Sequence, residues 1–359
     1  MKYTKIIFFT ILISLNSYSQ KINTEAINKF WNIVDYIKKD KLLTDSVWNN
    51  YYDVVGNKKY MENNRSSENV LEHRRYLELV FRPSLSDSLI KVAEIKNKDQ
   101  KENIFQNLYF IKKNEQKLRN YAEEIESPAY LIESIKLAKK YLPKNKYNEI
   151  PKDLTIYIMA MTYDAAVQDN NMYFGLACVY DLDRLQKGAV AAHEVHHVLR
   201  KTREFKNELS TADSTTVNIV SMINNEGSAD LIDKPFFTNP QTVRGAIMKV
   251  KLLETAEAVV KKIDSCFILN SKKEKIFTTN NDFNKIISYS NGHIPGYYMV
   301  DIIRKSGYEN KLIKNNDNPF NFFFLYNKAA IKDKNKPAIF SEKTIKYLKL
   351  LEKQLKPAK

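Results

Sequence analysis

The chain has 359 residues, with 57 lysines and arginines against 42 acidic residues, a formal charge of +15. That length serves one large domain or two. The two cysteines, Cys178 and Cys266, exclude a disulfide framework and a cysteine-rich zinc ribbon, although they could pair with each other. The lysines are scattered among acids, as in 91–101, which reads as a solvated basic surface; no nucleic-acid motif is present, and no stretch after the N-terminal apolar run is long enough to cross a bilayer.

Residues 1–19 have the form of a secretory signal peptide. Lys2 and Lys5 give a basic start, Ile6 to Leu15 a short apolar run, and Ser17-Tyr18-Ser19 a small-residue cleavage site ahead of Gln20. No cysteine follows that would carry a lipid anchor. A secreted or periplasmic protein, soluble after cleavage and without stable membrane insertion, is expected. Residues 20–150 form a helical N-terminal region. Ala26, Ile27, Phe30, Ile33, Val34 and Ile37 make an apolar stripe, and similar patterns recur at 46–55, 67–81, 87–95, 102–125 and 129–141, punctuated by Pro83, Pro128, Pro143 and Pro151. His73 falls on one of these helices and is read as structural.

Residues 153–161 and 172–180 are rich in β-branched and aromatic side chains and are expected as strands, with 162–171 a loop between them. Helices are expected around His193, from 216 through Asp230, over 242–263, 283–289, 295–304, 318–331 and 341–355, the last capped by Ser341; residues 264–281 read as a loop. The fold class is mainly α with a small β-sheet (α+β). A catalytic core occupies 151–310, between the helical N-terminal region and a helical C-terminal region at 311–359.

The chemistry concentrates in His193-Glu194-Val195-His196-His197, which reads H-E-x-x-H. On a helix, positions i and i+4 share a face, so His193 and His197 can present two imidazoles to one Zn²⁺ ion. Glu194 then stands beside the metal as a general base for a water whose pKa zinc lowers toward neutrality. Alanines and valines before and after make the helix buried on one side, and Arg200 and Lys201 suit its last turn. His196 points to another face and reads as a bystander. A catalytic site needs a third protein ligand and one open position. Glu226, in Asn225-Glu226-Gly227-Ser228-Ala229-Asp230, is the best candidate, with Asp230 one turn on as the acceptor that fixes a ligand histidine. Glu204, Glu208 and Asp213 are weaker candidates.

H-E-x-x-H followed by a helix bearing N-E-x-x-x-D resembles the gluzincin metallopeptidases of the thermolysin type. The resemblance implies a zincin-like core, Glu226 as third zinc ligand, Asp230 as support for a histidine, and an edge strand lining the cleft, for which 172–180 is the candidate. The motifs are also similar to a bacterial family of uncharacterised zinc-dependent peptidases. The likeness covers roughly residues 150–310. The 28 residues between His197 and Glu226 make a longer gap than in thermolysin-like enzymes. Peptide deformylases take a cysteine upstream of H-E-x-x-H as third ligand, which makes Cys178 a rival, although it sits in an apolar run.

Amide hydrolysis also needs a donor to the oxyanion. His293, in Tyr289-Ser290-Asn291-Gly292-His293-Ile294-Pro295-Gly296-Tyr297, is the first candidate and Tyr297 the second, with Tyr289 next. The expected activity is hydrolysis of a peptide or protein substrate. The alternatives are a non-peptide metal amidase or deformylase-like enzyme, and a secreted helical binding protein whose zinc is structural or vestigial. Oligomeric state is not readable.

Overall fold

Amphipathic periodicity builds most of this chain, and helices dominate its computed structural model, which describes residues 21–64, 67–96, 104–144, 146–168, 171–203, 209–273, 280–288 and 290–355. The signal peptide expected at 1–19 lies outside the described residues, as do Glu204, Glu208 and Tyr289. No described helix is long and apolar enough to cross a membrane.

Strand β1 (Lys21–Asn23) leads into the N-terminal helices α1 (Glu25–Ile37), α2 (Asp45–Tyr52), α3 (Val55–Asn64), α4 (Ser67–Phe81), α5 (Ser86–Lys96), α6 (Ile104–Lys113), α7 (Glu115–Ile125) and α8 (Pro128–Lys139). The stripe expected on α1 is its buried face, to which Trp31 adds. Side-chain caps mark several starts. Thr44 accepts from the Val47 amide, and Ser127 accepts from the Ala129 amide with Pro128 in the first turn. The single helix expected over 102–125 is two, divided at Asn114, whose side-chain amide donates to the Phe110 carbonyl.

The sheet follows as β2 (Thr155–Met159), β3 (Ala165–Gln168) and β4 (Asn171–Gly175), in the order β1-β2-β4-β3. β1 and β4 run parallel to β2, with Ile22 beside Ile156 and Tyr157 beside Tyr173; β3 is antiparallel to β4, with Ala165 opposite Phe174. Two expectations change here. The stretch 162–171 contains a strand, and the run 172–180 is a strand only as far as Gly175. There the chain turns into α9 (Leu176–Asp183), placing Cys178 on a helix. A Cβ on Gly175 would lie 2.2 Å from the Thr162 carbonyl oxygen, so the strand ends where only glycine fits under the neighbouring loop. β4 is thus an interior strand, and β1 and β3 are the edges.

Helices α10 (Ala189–Leu199) and α11 (Thr211–Phe237) come next. They are followed by α12 (Gly245–Lys249), a π-helical stretch Val250–Glu254, α13 (Ala256–Ser271), α14 (Asn280–Ile286), α15 (His293–Lys305), α16 (Glu309–Lys314), α17 (Pro319–Lys332) and α18 (Glu342–Gln354). The expected helix 242–263 is broken and shifted: α13 runs to Ser271, because Val259, Val260, Ile263, Cys266, Phe267 and Asn270 continue its buried face through the expected loop. Ser341 caps α18, accepting from the Thr344 amide.

Among the described residues two hydrophobic cores result. One gathers the N-terminal helices, the sheet, α9 and α10. The other gathers much of α11 with α13, α15, α17 and α18. α11 touches both, through Ile232 on one side and Val217, Ile219, Val220, Ile223 and Leu231 on the other. Cys178 and Cys266 are free, buried in different cores.

Candidate metal centre

Three helices meet where the cores join. α10 buries Ala189, Val190, Ala191, Ala192, Val195 and Leu199, and its alanines let it lie close against its neighbours. Its start is fixed by Asp183, whose carboxylate accepts from the Gly188 amide at 3.0 Å. It carries His193, Glu194 and His197. α11 carries Glu226, and α15 begins with His293. Glycines set the crossing of these last two helices. A Cβ on Gly296 would lie 2.8 Å from the Gly227 amide nitrogen, and one on Gly227 would lie 2.9 Å from the Gly296 carbonyl oxygen. Backbone therefore rests on backbone, and the side chains one residue before Gly227 and three before Gly296 come together.

His197 Nε2 is 3.1 Å from His193 Nε2, and Glu226 Oε2 lies 3.2 Å from the former and 3.6 Å from the latter. A tetrahedral Zn²⁺ with bonds of 2.0–2.1 Å holds its ligand atoms roughly 3.3 Å apart. The three separations straddle that value. Two imidazole lone pairs facing each other at 3.1 Å repel unless a cation or proton lies between them. The third donor is held from behind: Asn225 donates to Glu226 Oε1 at 3.3 Å, and Arg200 donates to Asn225 Oδ1 at 2.8 Å. α10 ends at Leu199, so Arg200 is not in its last turn; it is buried and also donates to the Asn316 carbonyl.

His293 joins this group, its Nε2 3.5 Å from Glu226 Oε2. His193, Glu226, Asp230 and His293 each offer a ligand atom within 4.8 Å of the others. Asp230 is nevertheless occupied behind the imidazoles, since its Oδ1 lies 2.8 Å from His293 Nδ1. The same oxygen is 3.9 Å from His193 Nδ1, too far for a hydrogen bond. The partner of His193 is Asp233, at 2.9 Å. Asp230 thus braces the α15 histidine, and Asp233, which the sequence reading passed over, braces the α10 histidine. Asp233 and Lys234 follow Glu226 by seven and eight positions, the continuation of one helical face, and that periodicity was the available signal.

The electrostatics suit a cation. Burial would lower the His193 pKa, but the Asp233 charge and the hydrogen bonds to Asp233 and Glu226 together hold the imidazole well above its ordinary value. His293 is likewise raised against burial, by Asp230. Burial would raise Glu226, yet His197, His293 and His193 hold its carboxyl well below the usual range. Glu194 is raised, chiefly by burial and only partly offset by His193 and His197. With the imidazoles neutral, as metal ligation requires, the four carboxylates of Glu194, Glu226, Asp230 and Asp233 outnumber the cations of Lys234 and Arg200 by two, an excess that one divalent ion would neutralise.

His196 is fully buried beside the Tyr141 backbone, a packed bystander. Tyr297 is buried in the second core, with its hydroxyl bonded to Thr238 and its pKa pushed up to about 12, mainly by burial. Asp213 accepts from Tyr347 and Ser210 at the start of α11. Cys178 is fully buried, its thiol raised by burial, and it is not in the ligand group.

No curated protein and no solved structure matches the chain. A family model does, over residues 48–335, a span that takes in α10, α11 and the start of α15. The chain belongs to the family described as "Putative zinc dependent peptidase (DUF5700)".

Proposed function

We propose that this chain is an exported zinc peptidase of gluzincin type, with His193, His197 and Glu226 as zinc ligands and Glu194 as general base. The observation that carries it is the convergence of two imidazole Nε2 atoms and one carboxylate oxygen at tetrahedral ligand spacing, beside a buried glutamate. A bound Zn²⁺ supplies Lewis acidity to a water and to the scissile carbonyl. Glu194 takes the proton of the attacking water and returns it to the leaving amine; burial, by raising its pKa, makes it the better proton carrier near neutral pH. His293, held through Nδ1 by Asp230, donates from Nε2 to the oxyanion. β3 packs against α10 and is an edge strand, so an extended peptide can add to it by main-chain hydrogen bonds beside the metal helix. Export rests on residues 1–19, and the exported protein should begin at Gln20.

The test is Glu194→Gln against the wild type on a peptide library. Glu194→Gln should keep its zinc and lose about 10²–10⁴-fold in kcat, while His193→Ala should lose metal and activity together. A Glu194→Gln enzyme that cleaves at the wild-type rate removes the mechanism. One observation favours a second reading, a closed structural site: His293 Nε2 is as near to Glu226 Oε2 as the ligand atoms are.

A further inference from the structure

Behind the imidazoles lies a cation to which the proposed chemistry gives no part. Lys234 sits on α11, one residue after Asp233 and one turn beyond Asp230, with its side chain only 8% exposed. A lysine is seldom buried, because desolvating its ammonium is costly unless carboxylates receive it. Its Nζ lies 2.9 Å from Asp233 Oδ2, 3.4 Å from Asp230 Oδ1 and 4.7 Å from the centre of the Phe237 ring. The same two carboxylates hold the histidines, Asp233 through its other oxygen to His193 Nδ1 and Asp230 through Oδ1 to His293 Nδ1. His193 belongs to α10 in the first core, and His293 opens α15, which packs in the second.

We propose that Lys234 is a positioning residue of the metal centre: its ammonium locks the Asp233 and Asp230 carboxylates and so aims His193 and His293 at one point from helices of different cores. The inference rests on the metal-centre reading above and extends it to a residue that touches neither imidazole. The two arms differ. Asp233 spends one oxygen on His193 and the other on Lys234, which fixes the plane of its carboxylate. Asp230 gives the same oxygen to His293 and Lys234, and its Oδ2 has no hydrogen-bond partner among the described residues. The lock is therefore tighter on the proposed ligand than on the proposed donor.

A lock and a mere charge counterweight differ in sign. Deleting a positive charge beside a cation site, with nothing else changed, tightens cation binding by removing repulsion. Deleting a lock lets the imidazoles turn; losing a group that orients a ligand costs roughly 10- to 100-fold in metal affinity.

Co²⁺ is a suitable probe, because its visible absorption reports affinity and ligand geometry without turnover. Lys234→Met should bind Co²⁺ about 10- to 100-fold more weakly than the wild type, with an altered spectrum. Equal or tighter binding with the wild-type spectrum overturns the proposal. Should two buried carboxylates without a cation keep Lys234→Met from folding, the comparison moves to Lys234→Met/Asp230→Asn against Asp230→Asn, which removes one charge of each sign. Weaker Co²⁺ binding by the double variant supports the lock, and equal binding overturns it. A wild type that takes up neither Co²⁺ nor Zn²⁺ would remove the metal-centre reading and this inference together, so the wild-type titration tells the two failures apart.

Discussion

His293 offers Nε2 at 3.5 Å from Glu226 Oε2, between the 3.2 Å and 3.6 Å that separate this oxygen from His197 and His193. Distance alone would admit it as a fourth ligand, but exposure separates the three. His193 and His197 have side chains 3% and 15% exposed, while that of His293 is 31% exposed. Asp230 accepts at Nδ1 and favours the imidazolium, whose Nε2 then carries a proton to donate. His293→Ala should therefore keep the full zinc content and lose about 10²-fold in kcat with little change in KM. Zinc lost from that variant, measured by mass spectrometry, would make His293 a ligand and the site a closed one. At this scale the sequence was informative where chemistry is local. His193, Glu194 and His197 stand on one helix and Glu226 and Asp230 on another, at spacings a helix turns into faces. What it could not tell was which histidine Asp230 would hold, because that depends on how α15 crosses α11.

The crossing itself is an element-scale property, and it rests on Gly227 and Gly296. In Gly296→Ala the new Cβ would meet the Gly227 amide nitrogen, the Gly227 Cα and the Ile223 carbonyl at 2.8–3.0 Å. All three are backbone atoms, so no side-chain rotation relieves the clash and the helices must part. Overpacking of this kind costs roughly 1–3 kcal/mol. Because His293 is one turn before Gly296, parting the helices also draws it from Glu226. Gly296→Ala should melt lower and show a reduced kcat at saturating zinc; unchanged melting and kcat would show that the contact is dispensable. Long helices were legible from their apolar periodicity, as in α1, α4 and α18. The sheet was less so. β3 is short, half-exposed and framed by polar residues, and it lacks the aromatic run that marked β2 and β4. Leu176 to Tyr180 has the composition of a buried strand, and composition cannot tell that from the first turns of a buried helix.

For the molecule as a whole, stability against pH is a sum of buried groups that titrate in one window with opposite signs. Asp183, which anchors the start of α10, is pushed up to about 6 by burial, against the Tyr121 and Gly188 hydrogen bonds that lower it. Between that value and its ordinary 3.8 the folded chain holds a proton that the unfolded chain has lost, so its contribution grows as pH falls below about 6. His73 does the reverse. It is fully buried between Trp48 and Tyr51 in the first core, and burial pushes its imidazole down from 6.5 to about 3. Below 6.5 the unfolded chain takes a proton that the folded chain refuses, so stability is full above 6.5 and drains away as pH falls toward 3. Because the two trends oppose each other, a wild-type curve alone will not reveal either. Comparison with His73→Phe cancels every group the two proteins share. Relative to that variant, the wild type should lose about 1.4 kcal/mol for each pH unit below 6.5, read from urea unfolding at pH 7.5 and 5.5. A stability difference that stays constant between those pH values would mean that His73 already carries its proton in the folded core. His73 lies outside the metal centre, so zinc content and kcat at pH 7.5 should match the wild type, which separates this effect from any change at the site.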